Sequence, residues 1–562
     1  MAIVTDPTPA RTTELTRTVS IGEPLRTPLF RRIWLGSLLS NFGLLIQGVG
    51  AAWAMTQLTA AADMVALVQT ALMLPILLLS IMAGAVADMY DRRKVGLIAL
   101  SISLVAAAGL TALTAADLLT PWLLLASCFA IGTGMALFGP AWQASVSEQV
   151  PAHTLPQAVA LNSISYNIAR SFGPAIGGVI VATAGAVAAF AANAFLYVPL
   201  LIVLLLWRRN HVPPRLPAER IDRAIASGLR YILHSPSIRT VLWRTFFTGV
   251  AGGSISALMP IIARDNLGGG AQTYGLILGA FGVGAVAGAL TIGAIRHRVS
   301  GEAAVSFSAV IMAVGIAIVA LSGSIVLTAI ALLATGAAWM VSITLFNIGV
   351  QLAAPRWVAG RALAGFQAAI AGGVAIGSWF WGHVAQEHDL ATALFMSAAT
   401  MAASPLLALW LRMPPGEQSG QDGVEQAAPD AKLALTARSG PIVVEIEYRV
   451  APSEARDFYG AMQKVGRTRN RNGAYSWSIA RDIVDPELWT ERFHCPTWLD
   501  YLRHRSRYTV AELALQTNAE AFHRGAEPMR VRRMLERPFG SVRWKDDAPD
   551  QGNDEVLPII SA

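Results

Sequence analysis

Five residues in a short polar stretch are the first that could do chemistry: Gly84, Asp88, Arg92, Arg93 and Lys94. A carboxylate followed by three cations, pinned between two long apolar runs, can form charge pairs that open and close. Asp88 could pair with Arg92 or Arg93, or cap a neighbouring helix N-terminus through its dipole. A second group lies inside an apolar run. Arg170 follows Pro156 by 14 residues, a rise of about 21 Å at 1.5 Å per residue. That places a guanidinium near mid-membrane, where an unpaired charge is costly and points to function. Asn162, Ser163, Tyr166 and Asn167 precede it; Ser40, Asn41, Gln47, Gln143 and Arg244 lie on other runs, Arg244 being read rather as reaching back to the cytoplasmic interface. Together they suggest a polar cavity of positive potential suited to an anionic solute, with Arg170, Asn167, Tyr166, Asn41 and Gln143 as its candidate contacts. Downstream of Arg170, Gly173, Pro174, Gly177 and Gly178 allow close helix approach and a bend.

The elements that must hold these groups are membrane helices. The chain has 562 residues, is 54% hydrophobic and only 14% charged, and its mean hydropathy is +0.49. Soluble proteins carry about a quarter charged residues. A crossing needs roughly 20 apolar residues. Twelve runs qualify, near 30–56, 63–87, 94–114, 121–148, 156–183, 187–207, 239–263, 272–294, 302–321, 324–349, 359–384 and 391–411. Arginines and lysines gather in the N-terminal lead and after runs 2, 6, 8 and 10. By the positive-inside rule both termini are cytoplasmic. The net charge of +7 sits mainly in these loops and does not indicate nucleic acid.

The chain repeats itself. An offset of 204 residues brings Gly84 onto Gly288, Arg92 onto Arg296, Lys94 onto Arg298, Pro151 onto Pro355, Gly173 onto Gly377 and Gly178 onto Gly382. Asp88 falls on Ile292, so the second copy lacks the carboxylate. Two related halves place a substrate path between them near the midplane. The expected organisation is a flexible cytoplasmic lead over 1–28, an N-half over 29–207, a linker over 208–237 and a C-half over 238–412. A flexible linker over 413–440, an α+β domain over 441–540 and a flexible tail over 541–562 follow. In the first linker Ile221, Ile225, Leu229 and Ile232 recur at helical spacing among arginines. This predicts an amphipathic helix with its apolar face in lipid headgroups.

No G-x-x-x-x-G-K-[ST] run occurs, which argues against ATP-driven pumping and leaves secondary transport. No Asp or Glu lies mid-run. If protons are the coupling ion, Asp88 or Glu148 is the best carrier; the substrate's own charge is the other option. Cys128 and Cys495 suggest no disulfide framework. No metal cluster or cofactor motif is present, so neither metal nor cofactor is expected.

The stretch Gly84–Lys94 resembles the loop between helices 2 and 3 of the major facilitator superfamily, with Met89 and Asp91 departing from its pattern. The resemblance implies that Asp88, Arg92 and Arg93 form a cytoplasmic latch. Residues 169–178 resemble the span 5 motif of that superfamily's exporters, with Ala169 in place of its first glycine. This implies efflux. Asp91-Arg92-Arg93, Gly139-Pro140-Ala141 with Pro151 and Leu161-Asn162, and the stretch 226–236 resemble the enterobactin-exporter group. The group implies export of a siderophore, antibiotic or drug-like amphiphile across the bacterial inner membrane. An uptake permease of the same fold is the rival reading.

In the tail, the order β-α-β-β-α-β predicts a ferredoxin-like fold. The strands are expected at 441–450, 474–483, 488–495 and 529–536, a helix from an N-cap at Ser453, and a second over 497–524. The run Glu491–Arg505 resembles antibiotic-biosynthesis-monooxygenase-type domains, which implies dimerisation through paired sheets. His494, Trp498, Tyr475 and His504 could line a small pocket. A membrane-tethered oxygenase or sensor is therefore the second rival. Ligand sensing, dimerisation or substrate hand-off is preferred for the tail, because no metal-ligand cluster accompanies these residues.

Overall fold

A computed structural model describes residues 20, 22–207, 221–355, 357–413, 431–433 and 435–536. The side chains of Asp88, Met89, Ser147, Ala152, Pro156 and residues 221–224 are not among those described. Most of the expected lead, part of the first linker, most of the second and the segment after 536 lie outside the described residues.

The membrane part comprises α1 (Pro28–Leu58), α2 (Ala62–Met89), α3 (Arg92–Ala115), α4 (Pro121–Ser145), α5 (Leu155–Leu206), α6 (Ile221–His234), α7 (Pro236–Ile261), α8 (Ala271–Arg298), α9 (Gly301–Leu321), α10 (Ile325–Ala353), α11 (Ala359–Glu387) and α12 (Leu390–Ala403). Among the described residues eleven helical stretches are long and apolar enough to cross a membrane. One of them, 157–206, has 50 residues and would measure about 75 Å, against a hydrocarbon core of about 30 Å. It is not one helix. Gly185 interrupts it at φ +77°, ψ 175°, a backbone state that favours glycine. The break falls between the predicted runs 156–183 and 187–207. α12 stops short of its predicted end and continues to Leu409 as a 3₁₀ turn.

The repeat is visible in the packing. A Cβ on Gly177 would lie 3.0 Å from the Ile46 Cα. The 204-residue offset turns this pair into Trp381 and Val250, and there the Trp381 indole N–H donates to the Val250 carbonyl at 2.8 Å. A Cβ on Gly178 would meet α8, while one on Gly382 would meet α2 at Ala66. Equivalent positions of the repeat thus carry interhelical contacts, α5 against α1 and α8, and α11 against α7 and α2.

α6 is amphipathic, but its buried side does not face lipid. Tyr231 and Ile232 join a core with Ile238, Val341 and Phe366, and Ser227 and Gly228 abut Arg361 of α11. The stripe that packs is 227, 228, 231 and 232. Leu229 is exposed and Ile225 half-buried. Small residues at 227 and 228 let Arg361 of α11 approach closely.

The tail holds β1 (Ile442–Arg449), α13 (Ala455–Arg471), β2 (Tyr475–Arg481), β3 (Leu488–Cys495), α14 (Trp498–Ser506), α15 (Val510–Glu520) and β4 (Arg530–Leu535). Its antiparallel sheet runs β2-β3-β1-β4, the split arrangement of ferredoxin-like folds. Two local expectations fail. Ser453 is not the cap of α13: Pro452–Glu454 forms a 3₁₀ turn, and Glu454 precedes the helix without a side-chain cap. The second helix is two helices, because Thr509 and Glu512 build a reciprocal capping box that starts α15 afresh.

Candidate functional site

The loop between α2 and α3 is held by its cations. Asp91 caps α3, accepting from the Arg93 N–H at 2.9 Å, which gives the departure from the superfamily pattern a local purpose. Arg92 donates from Nη1 to the Ala144 carbonyl and to Glu148 Oε1, both at 2.8 Å. Arg93 donates to the Leu204 carbonyl at 2.8 Å and to Leu205 at 2.6 Å. These are the last carbonyls of α5, where a cation is favoured by the helix dipole. The described partner of Arg92 is therefore Glu148, 56 residues away; the Asp88 side chain lies outside the described residues. Lys94 is exposed. Gly84 is buried, and a Cβ there would lie 3.6 Å from Ala364 of α11, at the boundary between the halves.

Arg170 lies where α5 crosses α8. Its guanidinium sits 5.8 Å from the centroid of the Phe281 ring, and a Cβ on Gly282 would lie 2.5 Å from the Arg170 carbonyl. Among the described residues no carboxylate lies within ion-pair distance of Arg170, which is half-buried. Asn167 donates to the Ser163 carbonyl at 2.9 Å, while its Oδ1 and that of Asn162 are buried without a partner. Residues 162, 166 and 170 share one side of the helix by their spacing. Tyr166 is 44% exposed. α5 thus offers a cation, two carboxamide oxygens and a phenol, with no carboxylate beside the cation among the described residues. Such groups suit a polar or anionic solute that brings its own partners.

The other predicted contacts are more distant in their described interactions. Asn41 is half-buried on α1 beside Phe42, whose ring approaches Gly173. Gln143 is exposed in the last turn of α4. No described contact joins either to Arg170. Gln47 is buried and hydrogen-bonded to Asn193, a strut between α1 and α5. Arg244 does not face a cavity: it is 3% exposed and pairs with Glu302 Oε1 at 2.5 Å, while Glu302 Oε2 accepts from the Met413 N–H at 2.9 Å. Sequence reasoning missed Phe281, an aromatic in an apolar run with no distinguishing signal.

Gly173 and Gly177 face α1, where added Cβ atoms would lie 3.0 Å from the Leu45 Cβ and the Ile46 Cα. Gly178 faces α8: its Cβ would be 2.7 Å from the Ala271 carbonyl oxygen and 2.8 Å from the Gly275 Cα. A Cβ on Gly275 would in turn lie 2.7 Å from the Pro174 carbonyl oxygen. The motif is a two-sided contact, one side on α1 and one on α8.

In the tail, a buried charge network lies between sheet and helices. Arg469 and Glu491 are 4% and 0% exposed and pair at 3.0 Å. Glu491 also accepts from Tyr448 Oη at 3.1 Å and from the Trp477 indole at 3.0 Å. Arg469 stacks 4.9 Å from the Phe493 centroid and bonds Tyr508, and Tyr508 Oη lies 2.7 Å from His504 Nε2. The four predicted pocket residues do not converge. Tyr475 and His494 pair across β2 and β3 with centroids 5.4 Å apart. Trp498 stacks on Tyr501, and His504 is enclosed beside Phe493.

Two predictions follow from this network. Glu491→Gln leaves Arg469 buried without its counter-charge and lowers tail stability by about 3 kcal/mol, read as faster hydrogen exchange in β1 and β3 of the full chain. Unchanged exchange would mean that the pair contributes nothing. Burial first, and the Arg469 charge second, depress the His504 pKa from 6.5 to about 3. The unfolded state then binds the extra proton between those values. The stability due to neutral His504 is complete above pH 6.5 and is lost as pH falls toward 3, by up to about 1.4 kcal/mol per pH unit. The tail's thermal midpoint should fall on acidification across that window, less steeply in His504→Gln; equal slopes would exclude His504 as the cause.

Comparison with known proteins agrees with this geometry. Residues 19–539 match the profile of the family described as transmembrane secretion effector, so the match runs through the tail. The staphyloferrin A transporter of Staphylococcus aureus is 28% identical over 225 residues, 39% of this chain and 55% of its own length. The multidrug efflux pump Tap of Mycolicibacterium fortuitum is 26% identical over 341 residues, 58% and 82% of the two chains. The enterobactin exporter EntS of Shigella flexneri is 27% identical over 275 residues, 48% and 64%. The chain therefore spans 55% and 64% of the length of two of these relatives. A D-xylose–proton symporter shares the fold at a TM-score of 0.56 and 15% identity, covering 69% of this chain and 98% of that one. The nucleoside transporter NupG does so at 0.56 and 13%, covering 68% and 100%. At these identities the likeness concerns fold alone. The family and the relatives are transporters, not enzymes, and the apolar helices make this a multi-pass membrane protein. The chain belongs to the transmembrane secretion effector family of the major facilitator superfamily.

Proposed function

We propose that this chain is a secondary transporter of the bacterial inner membrane that exports a small anionic or amphiphilic metabolite by alternating access. The observation that carries the reading is the Arg170 guanidinium, held at the crossing of the two halves with no carboxylate in reach among the described residues. An anionic group of the substrate supplies the missing partner. The relatives whose names denote export or efflux, an enterobactin exporter and a multidrug pump, favour the outward direction and a siderophore-like or drug-like cargo.

In this reading Gly185 separates two crossings, which gives twelve in two six-helix halves with both termini and the tail cytoplasmic. The polar contacts between halves support a state closed at the far side. Arg264 donates to the Thr56 carbonyl at 3.2 Å, and the Ala62 N–H donates to Gln386 at 2.7 Å. Both lie at the helix ends opposite the Arg92 loop. Movement to the other state loosens these contacts and draws the cytoplasmic ends together, where Gly84, Asp88, Arg92 and Arg93 act as the latch. A proton is the proposed coupling ion: protonation of Glu148 removes the charge that holds Arg92. Pairing of two tails would use the open sheet face, where Glu445 pairs with Arg492 and Glu447 with Arg532.

The uptake reading is disfavoured by the Gly173–Gly178 motif, and the oxygenase reading by a family and relatives that are transporters. Inside-out vesicles test the proposal. A proton gradient, acidic inside, should drive accumulation of a catecholate or carboxylate siderophore, and an uncoupler should abolish it. Accumulation that ignores the gradient would contradict proton coupling.

A further inference from the structure

A cavity of about 190 Å³ lies on the seam between the tail and the membrane part. Tyr231, Ser235 and Ser237 form one wall; Arg471, Thr509 and Ala511 form the other. Two helix N-termini open onto it. α7 begins at Pro236, and its cap residue Ser235 makes no side-chain cap bond. The first-turn N–H groups of Ser237 and Ile238 therefore keep no intrahelical acceptor. α15 begins at Val510, and Thr509 satisfies only the Glu512 N–H, leaving that of Ala511 at the cavity. Each N-terminus carries about half a positive charge.

A second, independent observation points to an occupant. Ser235 is 4% exposed and lines the cavity, and its hydroxyl has no hydrogen-bond partner among the described residues. That hydroxyl opens onto the cavity, where it can bond an occupant. From the opposite wall Arg471 brings its guanidinium to the Tyr231 ring, 5.3 Å from its centroid. The cavity also has one carboxylate, Glu512. Its oxygens are engaged by Arg471, by Asn472 Nδ2 at 3.2 Å and by the Thr509 N–H at 2.9 Å, so it offsets Arg471. The groups left over are hydroxyls and N–H donors. Arg230 reaches the turn at Gly473, and Arg507 lies 4.0 Å from the Trp357 centroid. Arg230 adds positive potential beside the seam.

Donors on several sides with positive potential suit a group rich in acceptor oxygens. We propose that the seam binds a phosphate group, either free phosphate or the headgroup of an anionic phospholipid, and that the bound group ties the tail to α6 and α7. The inference does not depend on what the chain transports or in which direction.

The full chain in neutral detergent is titrated with sodium phosphate against sodium chloride at equal ionic strength. Hydrogen exchange is followed at residues 231–238 and 507–515. In a second arm the chain is placed in nanodiscs of phosphatidylglycerol or phosphatidylcholine. Saturable protection of both segments by phosphate assigns the site to the free ion. Protection only in phosphatidylglycerol assigns it to the lipid headgroup. In either case Ser235→Ala weakens the midpoint about five-fold, the loss of one hydrogen bond, and Arg471→Gln weakens it further. Because Arg471→Gln also strips Glu512 of its partner, Ser235→Ala decides. The proposal is overturned if neither probe protects the two segments, or if Ser235→Ala responds like the wild type.

Discussion

Arg170→Leu is expected to lower export about 30-fold or more while leaving the protein folded in the membrane. The substrate's anionic group, once dehydrated in the transport path, loses its partner; removing one member of such a desolvated charge pair costs about 2–5 kcal/mol, and 1.4 kcal/mol is a factor of ten. Folding should not suffer, because Arg170 makes no ion pair among the described residues and its guanidinium lies beside the Phe281 ring. Arg170→Lys keeps the charge but not the planar fork, so it retains part of the activity. Initial rates in vesicles, normalised to protein in the membrane, separate the outcomes. Equal rates for Leu and wild type would move the substrate contact elsewhere.

Gly178→Leu is expected to reduce transport to background. The added side chain would enter the α5–α8 crossing, where even a Cβ meets the Ala271 carbonyl oxygen at 2.7 Å and the Gly275 Cα at 2.8 Å. Backbone on the facing helix cannot rotate away as a side chain can, so the halves must part. Overpacking of this kind costs about 1–3 kcal/mol for each small insertion, and a leucine adds several carbons. Gly139→Ala is the control, since no atom lies within 4 Å of a Cβ there. Normal transport by Gly178→Leu would show that the close crossing is not needed.

Much of this was legible in the sequence. The membrane helices were, because twenty-residue apolar runs have few other fates in a chain this poor in charge. The break at Gly185 was legible as a gap between runs. The 204-residue repeat, read from glycines and basic loops, reappears in contacts such as Gly177 with Ile46 and Trp381 with Val250. What escaped were pairings over long separations. Nothing local says that Arg92 will meet Glu148 or that Arg244 will meet Glu302; tertiary packing decides both. α6 was read as lipid-facing because amphipathicity reports an apolar stripe but not what covers it. The break before α15 was legible and overlooked: Thr509 and Glu512 have capping-box spacing. The surroundings of Arg170 were only partly legible. A cation mid-run stands out, whereas Phe281, which completes its surroundings, looks like any core aromatic.

The most direct test is comparative metabolite profiling of cells and medium. It uses a deletion strain, the deletion restored with the wild type, and the deletion restored with Arg170→Leu. The account predicts a compound, anionic at neutral pH, that accumulates inside the deletion strain and disappears from its medium. The wild type restores its export and Arg170→Leu does not. A medium that is unchanged while uptake of some solute falls would contradict export.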